Sequence, residues 1–322
     1  MSDPERNENG EQAANSAPLA RGPDFSASIP VSYARTVFLG PDGLRPGWGF
    51  AFYVAMFLGL QRLAVDLAWS RDFGYSNLWS ILLEEFGNLV AAAIPAVILA
   101  KVEHRAWGTY GLPAKRAFAR LFWIGAIWGF AAISLLIMTI YSLHGFSFGH
   151  VVLHGARLAR FAGFWGLMFL LVGFFEEFLL RGYSQFTLAR GIGFWPAAIV
   201  LSCAFGLIHL RNGGEDWPGL LAAGFIGLFF CLTLKRTRNL WFAVGFHAAW
   251  DWGETFFYSV PDSGTVSPGH LLSSSLRGPQ WLSGGSVGPE GSILCFVVIA
   301  LVWFLFDRLY PSVDRSSATA NE

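Results

Sequence analysis

A polytopic bundle of transmembrane helices is the fold class that this sequence predicts, an all-α architecture of about eight spans around a membrane-embedded polar site. Hydrophobic residues make up 54% of the 322 positions and charged residues only 14%. Mean hydropathy is +0.46, more than a soluble domain of this length needs. Apolar stretches of roughly 20 residues, the length a helix needs to cross about 30 Å of hydrocarbon, recur from Trp48 onward. Inside them stand polar clusters: Glu176, Glu177 and Arg181 in FFEEFLLRGY, His209 in FGLIHL, and His247 with Asp251 in FHAAWDW. A charge at the bilayer centre costs about 2.5 to 3.5 kcal/mol on insertion scales, so such residues face a protein interior or a wet cavity and mark a functional site.

The chain divides into three parts. Residues 1–46 are rich in Asn, Glu, Ser, Ala and Pro and hold no apolar run, which predicts a disordered tail. Without the basic start and apolar core of a secretory signal, the chain is expected to enter the membrane through its first span. A helical membrane domain is predicted over 47–310, followed by a short tail over 311–322. The spans fall near Trp48 to Leu67, Leu78 to Leu99, Leu121 to Tyr141, Phe161 to Leu180, Phe194 to Leu210, Trp217 to Leu234, Leu240 to Tyr258 and Ser292 to Leu309. Helices are required because an open sheet would leave backbone groups unpaired in lipid, and the segments are twice as long as a barrel strand. Trp48, Trp79, Trp195, Trp217 and Trp241 fall near span ends, where amphipathic rings favour the interface.

Loop charges set the expected topology, since short cytoplasmic loops gather Lys and Arg. Lys101, Arg105, Lys115, Arg116 and Arg120 lie between the second and third spans, and Lys235, Arg236 and Arg238 between the sixth and seventh. With eight spans the same side receives both tails and a turn from Arg181 to Arg190, so both termini are expected in the cytoplasm. The Gly, Ser and Pro-rich stretch from Ser259 to about Gly291 then forms a non-cytoplasmic loop made of turns. Formal net charge is zero, with 22 basic and 22 acidic residues, which argues against a nucleic-acid partner. Cys203, Cys231 and Cys295 lie in apolar runs without zinc-site spacing and read as packing residues.

Helix geometry assigns the clusters. Glu177 and Arg181 are four residues apart and can meet as an ion pair on one helix face. Glu176 is rotated about 100 degrees away and is left to activate water. His209 follows Phe205 by four residues, so the aromatic ring can shape a pocket around the imidazole. His247 and Asp251 repeat that spacing, so the carboxylate can fix which ring nitrogen faces the site; Glu254 follows on nearly the same face. Carboxylates and imidazoles on three spans suggest a hydrolytic centre between facing helices. No HExxH occurs. Glu176, His209 and His247 could hold zinc with an open position for water, or a Glu could act as base without metal, and the spacing leaves both open.

EEFLLR, FGLIH and HAAWD resemble the three motifs EExxxR, FxxxH and HxxxN/B of the CPBP family of intramembrane proteases, also called the CAAX prenyl protease 2 or ABI family. The resemblance covers about 161–258, in the family's order and spacing, and WGTYGLP resembles a segment found ahead of the family's core helices. Asp251 departs from the common Asn, keeping an acceptor but losing the amide donor. The resemblance implies an intramembrane endopeptidase acting on a membrane-associated protein or peptide, with the bilayer as its medium. Glu176 is then the base and Glu177 the carboxylate held by Arg181. His209 assists the water or a metal, and His247 with Asp251 holds the oxyanion or a ligand. Many relatives are bacterial, so an inner-membrane location is expected. The alternative class is a non-catalytic scaffold or a small-solute transporter, although the two halves show no internal repeat of the kind transporters carry.

Overall fold

Apolar stretches become helices because only a helix satisfies every backbone group within its own segment in lipid. The computed structural model describes residues 37–40, 43–70 and 78–312. The expected tails over 1–46 and 311–322 therefore fall largely outside the described residues. What is seen ahead of the first helix is a short antiparallel pair, β1 (Leu39–Gly40) with β2 (Gly43–Leu44). The long helices are α1 (Pro46–Ser70), α2 (Leu78–Val102), α3 (Arg120–Ser142), α4 (Gly155–Glu177), α5 (Gln185–Ile192), α6 (Phe194–Ile208), α7 (Trp217–Thr237) and α8 (Trp241–Asp251). After a long loop containing the four-residue α9 (Gln280–Ser283), α10 (Ile293–Leu309) closes the described chain.

Among the described residues six helical stretches are long and apolar enough to cross a membrane: Pro46–Asp66, Leu78–Val102, Arg120–Ser142, Gly155–Ile192, Phe194–Arg211 and Trp217–Thr237. The other two of the eight expected spans are helices in their expected places but shorter. The 11 residues of α8 continue through a six-residue π-helical turn, Trp252–Phe257, and α10 has 17 residues. At about 1.5 Å per residue such elements reach about 25 Å, a little less than the hydrocarbon thickness.

A second difference concerns the expected turn from Arg181 to Arg190. The chain does not leave the bundle there: α4 runs through a π-helical turn, Phe178–Ser184, into α5, with a kink at Gly182 (φ −79°, ψ −119°). Arg181 is fully buried and so is not one of the loop charges of the topology count. Because Glu177 neutralises it at 3.1 Å, the segment has no need to exit to hydrate the guanidinium.

Several of the remaining basic residues gather at one end of the bundle, while Arg211 and Arg277 lie at the other. Glu103, just past α2, accepts from Tyr183 Oη at 2.8 Å and pairs with Arg190 at 3.2 Å and Arg105 at 3.1 Å. Lys235 at the end of α7 lies 4.8 Å from the Trp195 ring at the start of α6. Arg236 pairs with Asp307 of α10, and Leu240 N donates to Gly111 O at 2.8 Å. At the opposite end the long loop is tied down. β3 (Phe146–Ser147) pairs with β4 (Ser275–Leu276), Val151 bridges Leu272, and Asn212 Nδ2 donates to Ser263 O at 2.8 Å.

Packing between these ends depends on α3 against α8. A Cβ on Gly125 or Gly129 would collide with the Phe242 or Phe246 carbonyl, and one on Gly245 with the Phe122 carbonyl. Small residues thus allow backbone-to-backbone approach, which is how helices associate where lipid removes the hydrophobic driving force between them. Around this seam Ile133, Leu136, Ile137, Phe229, Phe242, Phe246 and Phe306 form the main core. Large apolar side chains such as Ile127 and Leu207 point outward, as lipid-facing residues should. The close contact fixes α8, and with it His247.

Candidate active site

Three elements bring the polar clusters together. Glu176 and Glu177 end α4, His247 and Asp251 lie on α8, and His209 opens the short helical turn that follows α6. Gly173 lets α4 approach α8: a Cβ there would stand 3.2 Å from Val244 O and 3.5 Å from His247 Cβ.

The two adjacent glutamates occupy different environments. Glu177 is fully buried, and its Oε1 accepts from Arg181 Nη1 at 3.1 Å and from His247 Nδ1 at 3.0 Å. Glu176 is 23% exposed at its side chain and places Oε2 3.6 Å from His247 Nε2. Asp251 Oδ2 stands 3.5 Å from the same nitrogen. The closer partner of the His247 ring is therefore Glu177 and not Asp251, the partner that four-residue helix spacing predicts. A carboxylate can only accept, so Nδ1 carries a proton and Nε2 is turned toward Glu176 and Asp251. Arg181 completes the arrangement with its guanidinium 4.4 Å from the Phe205 ring and 5.8 Å from Phe230. Gly227 leaves room for it, since a Cβ there would strike Arg181 Nη2.

His209 is held from behind. Its Nδ1 lies 2.8 Å from Phe205 O, and because a carbonyl only accepts, the proton sits on Nδ1 and Nε2 presents a lone pair. The Phe205 ring meets the His209 ring edge-on at 4.8 Å. Glu176, Phe205, His209, His247 and Asp251 all line one cavity of about 300 Å³.

The polar clusters marked by the sequence do not include one further lining residue. Glu85, on α2, faces the same cavity, and its signal was the same as that of Glu176: a Glu-Glu pair, Glu84 and Glu85, in an otherwise apolar span. Trp165, Met168, Phe169 and Val172 of α4 form an apolar wall, which uniform hydropathy could not distinguish from lipid-facing residues. Glu254 leaves the face of His247 and Asp251, because it falls in the π-helical turn and meets Asp262 and Glu290 instead. At that loop end burial pushes Asp262 well above the usual carboxylate range, with Asp251 and Glu290 adding to the effect.

Glu176, His209 and His247 supply the donor types of a zinc set but stand further apart than ligands of one ion. Their ligand atoms do not form a group within one coordination sphere, whereas among the described residues Glu254, Asp262 and Glu290 do. His247 has Nδ1 held by Glu177 and Nε2 turned toward Glu176 and Asp251, an orientation shared by proton-donating and metal-ligating imidazoles.

Paired carboxylates and imidazoles thus line an internal cavity of a helical membrane bundle. Residues 158–253 match the family model of the type II CAAX prenyl endopeptidases, Rce1-like. Over that segment the chain is similar to the CAAX-type intramembrane proteases, and the segment contains Glu176, Glu177, Arg181, His209, His247 and Asp251. No curated protein matches the chain.

Proposed function

We infer that the protein is an endopeptidase that cleaves a peptide bond of a membrane-associated protein or peptide, with Glu176 as general base and without metal in the hydrolytic step. The observation that carries this reading is the division between neighbours: Glu177 is consumed by Arg181 and His247 Nδ1, while Glu176 faces the cavity. Glu176 takes a proton from water as its oxygen attacks the scissile carbonyl carbon, and the carbonyl electron pair moves onto oxygen. His247, carrying a proton on each ring nitrogen among Glu176, Glu177 and Asp251, is aimed into the cavity by the Glu177 contact on Nδ1 and donates from Nε2–H to that oxyanion. Collapse expels the amine, which receives the proton held by Glu176. His209 Nε2 accepts from the water and orients it. Preorganised donors at a developing oxyanion are commonly worth about 10² to 10³ in rate.

The apolar wall of Trp165, Met168, Phe169 and Val172 suits a substrate with a hydrophobic or lipidated segment. The gathering of Lys and Arg at one end supports a cytoplasmic location for that end, and thus for both termini if α8 and α10 span, in a bacterial inner membrane. The test is cleavage of prenylated and unprenylated CAAX peptides by protein purified in detergent, wild type against Glu176→Gln. Cleavage by wild type, lost in the variant, is expected; equal turnover by both ends the reading. A scaffold or transporter would keep its cellular phenotype in Glu176→Gln.

A further inference from the structure

Beyond the hydrolytic residues, the loop end of the cavity holds a second set of acids. Glu254 comes from the π-helical turn after α8, Asp262 from the start of the long loop, and Glu290 from the turn just before α10. One carboxylate oxygen of each lies within 4.8 Å of the others. Two of the three are oriented by neutral donors. Glu290 Oε1 accepts from Trp250 Nε1 at 3.1 Å, and its Oε2 from Ser263 N at 3.2 Å and Ser263 Oγ at 2.7 Å. Asp262 Oδ2 accepts from Thr255 Oγ1 at 3.0 Å.

Glu254 is different. It is fully buried, neither of its oxygens has a hydrogen-bond partner, and one of them points into the cluster. Among the described residues none of the three acids takes part in an ion pair. Gly288, at φ 101°, brings no side chain against Glu254 Oε1, from which a Cβ would stand 3.3 Å away. A buried carboxylate with no donor is tolerated only with a compensating charge or a proton, and oxygens within 4.8 Å of one another can share one ion. Ligand oxygens on opposite sides of a calcium ion, at about 2.3 to 2.6 Å each, stand about 4.6 to 5.2 Å apart. The set contains oxygen alone, which suits hard cations and not zinc.

We propose that Glu254, Asp262 and Glu290 form a binding site for a hard divalent cation of calcium size, which fastens the 259–291 loop to the end of α8 and the start of α10. Its ligands come from three separate segments, so the ion closes the loop that lines one end of the cavity. Asp262 and Glu290 also line that cavity, which gives water access to the remaining coordination positions.

The test uses the full chain in detergent, stripped with chelating resin. Equilibrium dialysis against calcium, together with thermal unfolding followed by tryptophan fluorescence, gives stoichiometry and linked stability. Saturable binding of calcium is expected, with an apparent melting temperature raised by about 2 °C or more at saturation. Glu254→Gln and Asp262→Asn should each weaken binding at least about tenfold and remove that rise. Should Glu254→Gln fail to fold, Asp262→Asn, from the less buried loop, supplies the same reading. Absence of saturable binding to wild type overturns the proposal, as does unchanged binding in a folded variant; a melting temperature set by pH alone would then mark the cluster as proton-sharing acids. Neither readout involves proteolysis, so failure here and failure of the peptidase reading are distinguishable.

Discussion

Around His247 each charge meets a partner: Glu177 touches both Arg181 and the imidazole, and Glu176 and Asp251 approach its other nitrogen. Farther along the same chain segment Glu254 is equally buried yet has no donor at all. The chemistry of the side chains is the same in both places. What differs is compensation, built into the chain at the first and requiring something from outside at the second. A buried charge that the fold itself neutralises can be spent on positioning, whereas one left open becomes a binding site for a cation or a proton.

The sharpest break in this comparison is Glu176→Gln, which keeps size and removes the one carboxylate of the first set open for base chemistry. Peptidase activity should fall by about 10² to 10⁴-fold, with stability unchanged within about 0.5 kcal/mol, read by peptide cleavage beside thermal unfolding. His247→Ala should lose as much, and the double variant no more than either alone, because base and oxyanion donor act in one transition state.

Compensation itself is tested next. Arg181→Ala leaves Glu177 buried beside a single imidazole and should cost about 3 to 5 kcal/mol, visible as lost folded yield. Glu254→Gln in chelator-treated protein should act in the opposite direction and leave stability unchanged or raised, since it removes an unanswered charge. Equal destabilisation by the two would erase the distinction between the sets.

Smaller effects probe the frame. Gly129→Ala drives a methyl group into the Phe246 carbonyl and should cost about 1 to 3 kcal/mol by overpacking, with activity falling as α8 shifts. Asp251→Asn keeps an acceptor near His247 Nε2 and should retain activity within about tenfold, whereas Asp251→Leu should not. The smallest expected effect is none: 1,10-phenanthroline, which takes zinc but not calcium, should leave turnover unchanged. Inhibition reversed by added zinc would restore metal to the hydrolytic step.

The sequence alone determined the helical membrane fold, the segments that form it and the Glu177–Arg181 pair, because twenty-residue hydropathy and four-residue spacing are local properties of the chain. It also marked Glu176, His209 and His247, since an ionisable residue in an apolar run is visible without coordinates. Only the tertiary structure decided that Glu177 rather than Asp251 holds His247 more closely, because that contact joins residues 70 positions apart and competes with the nearer one on geometry alone. The same holds for Arg181, whose segment continues inside the bundle once its charge is met, and for the π-helical turn after α8, which rotates Glu254 away from the face that regular helix spacing assigns to it. Glu254, Asp262 and Glu290 lie in three segments with no motif between them, so their convergence is a product of loop closure, which no local pattern of residues encodes.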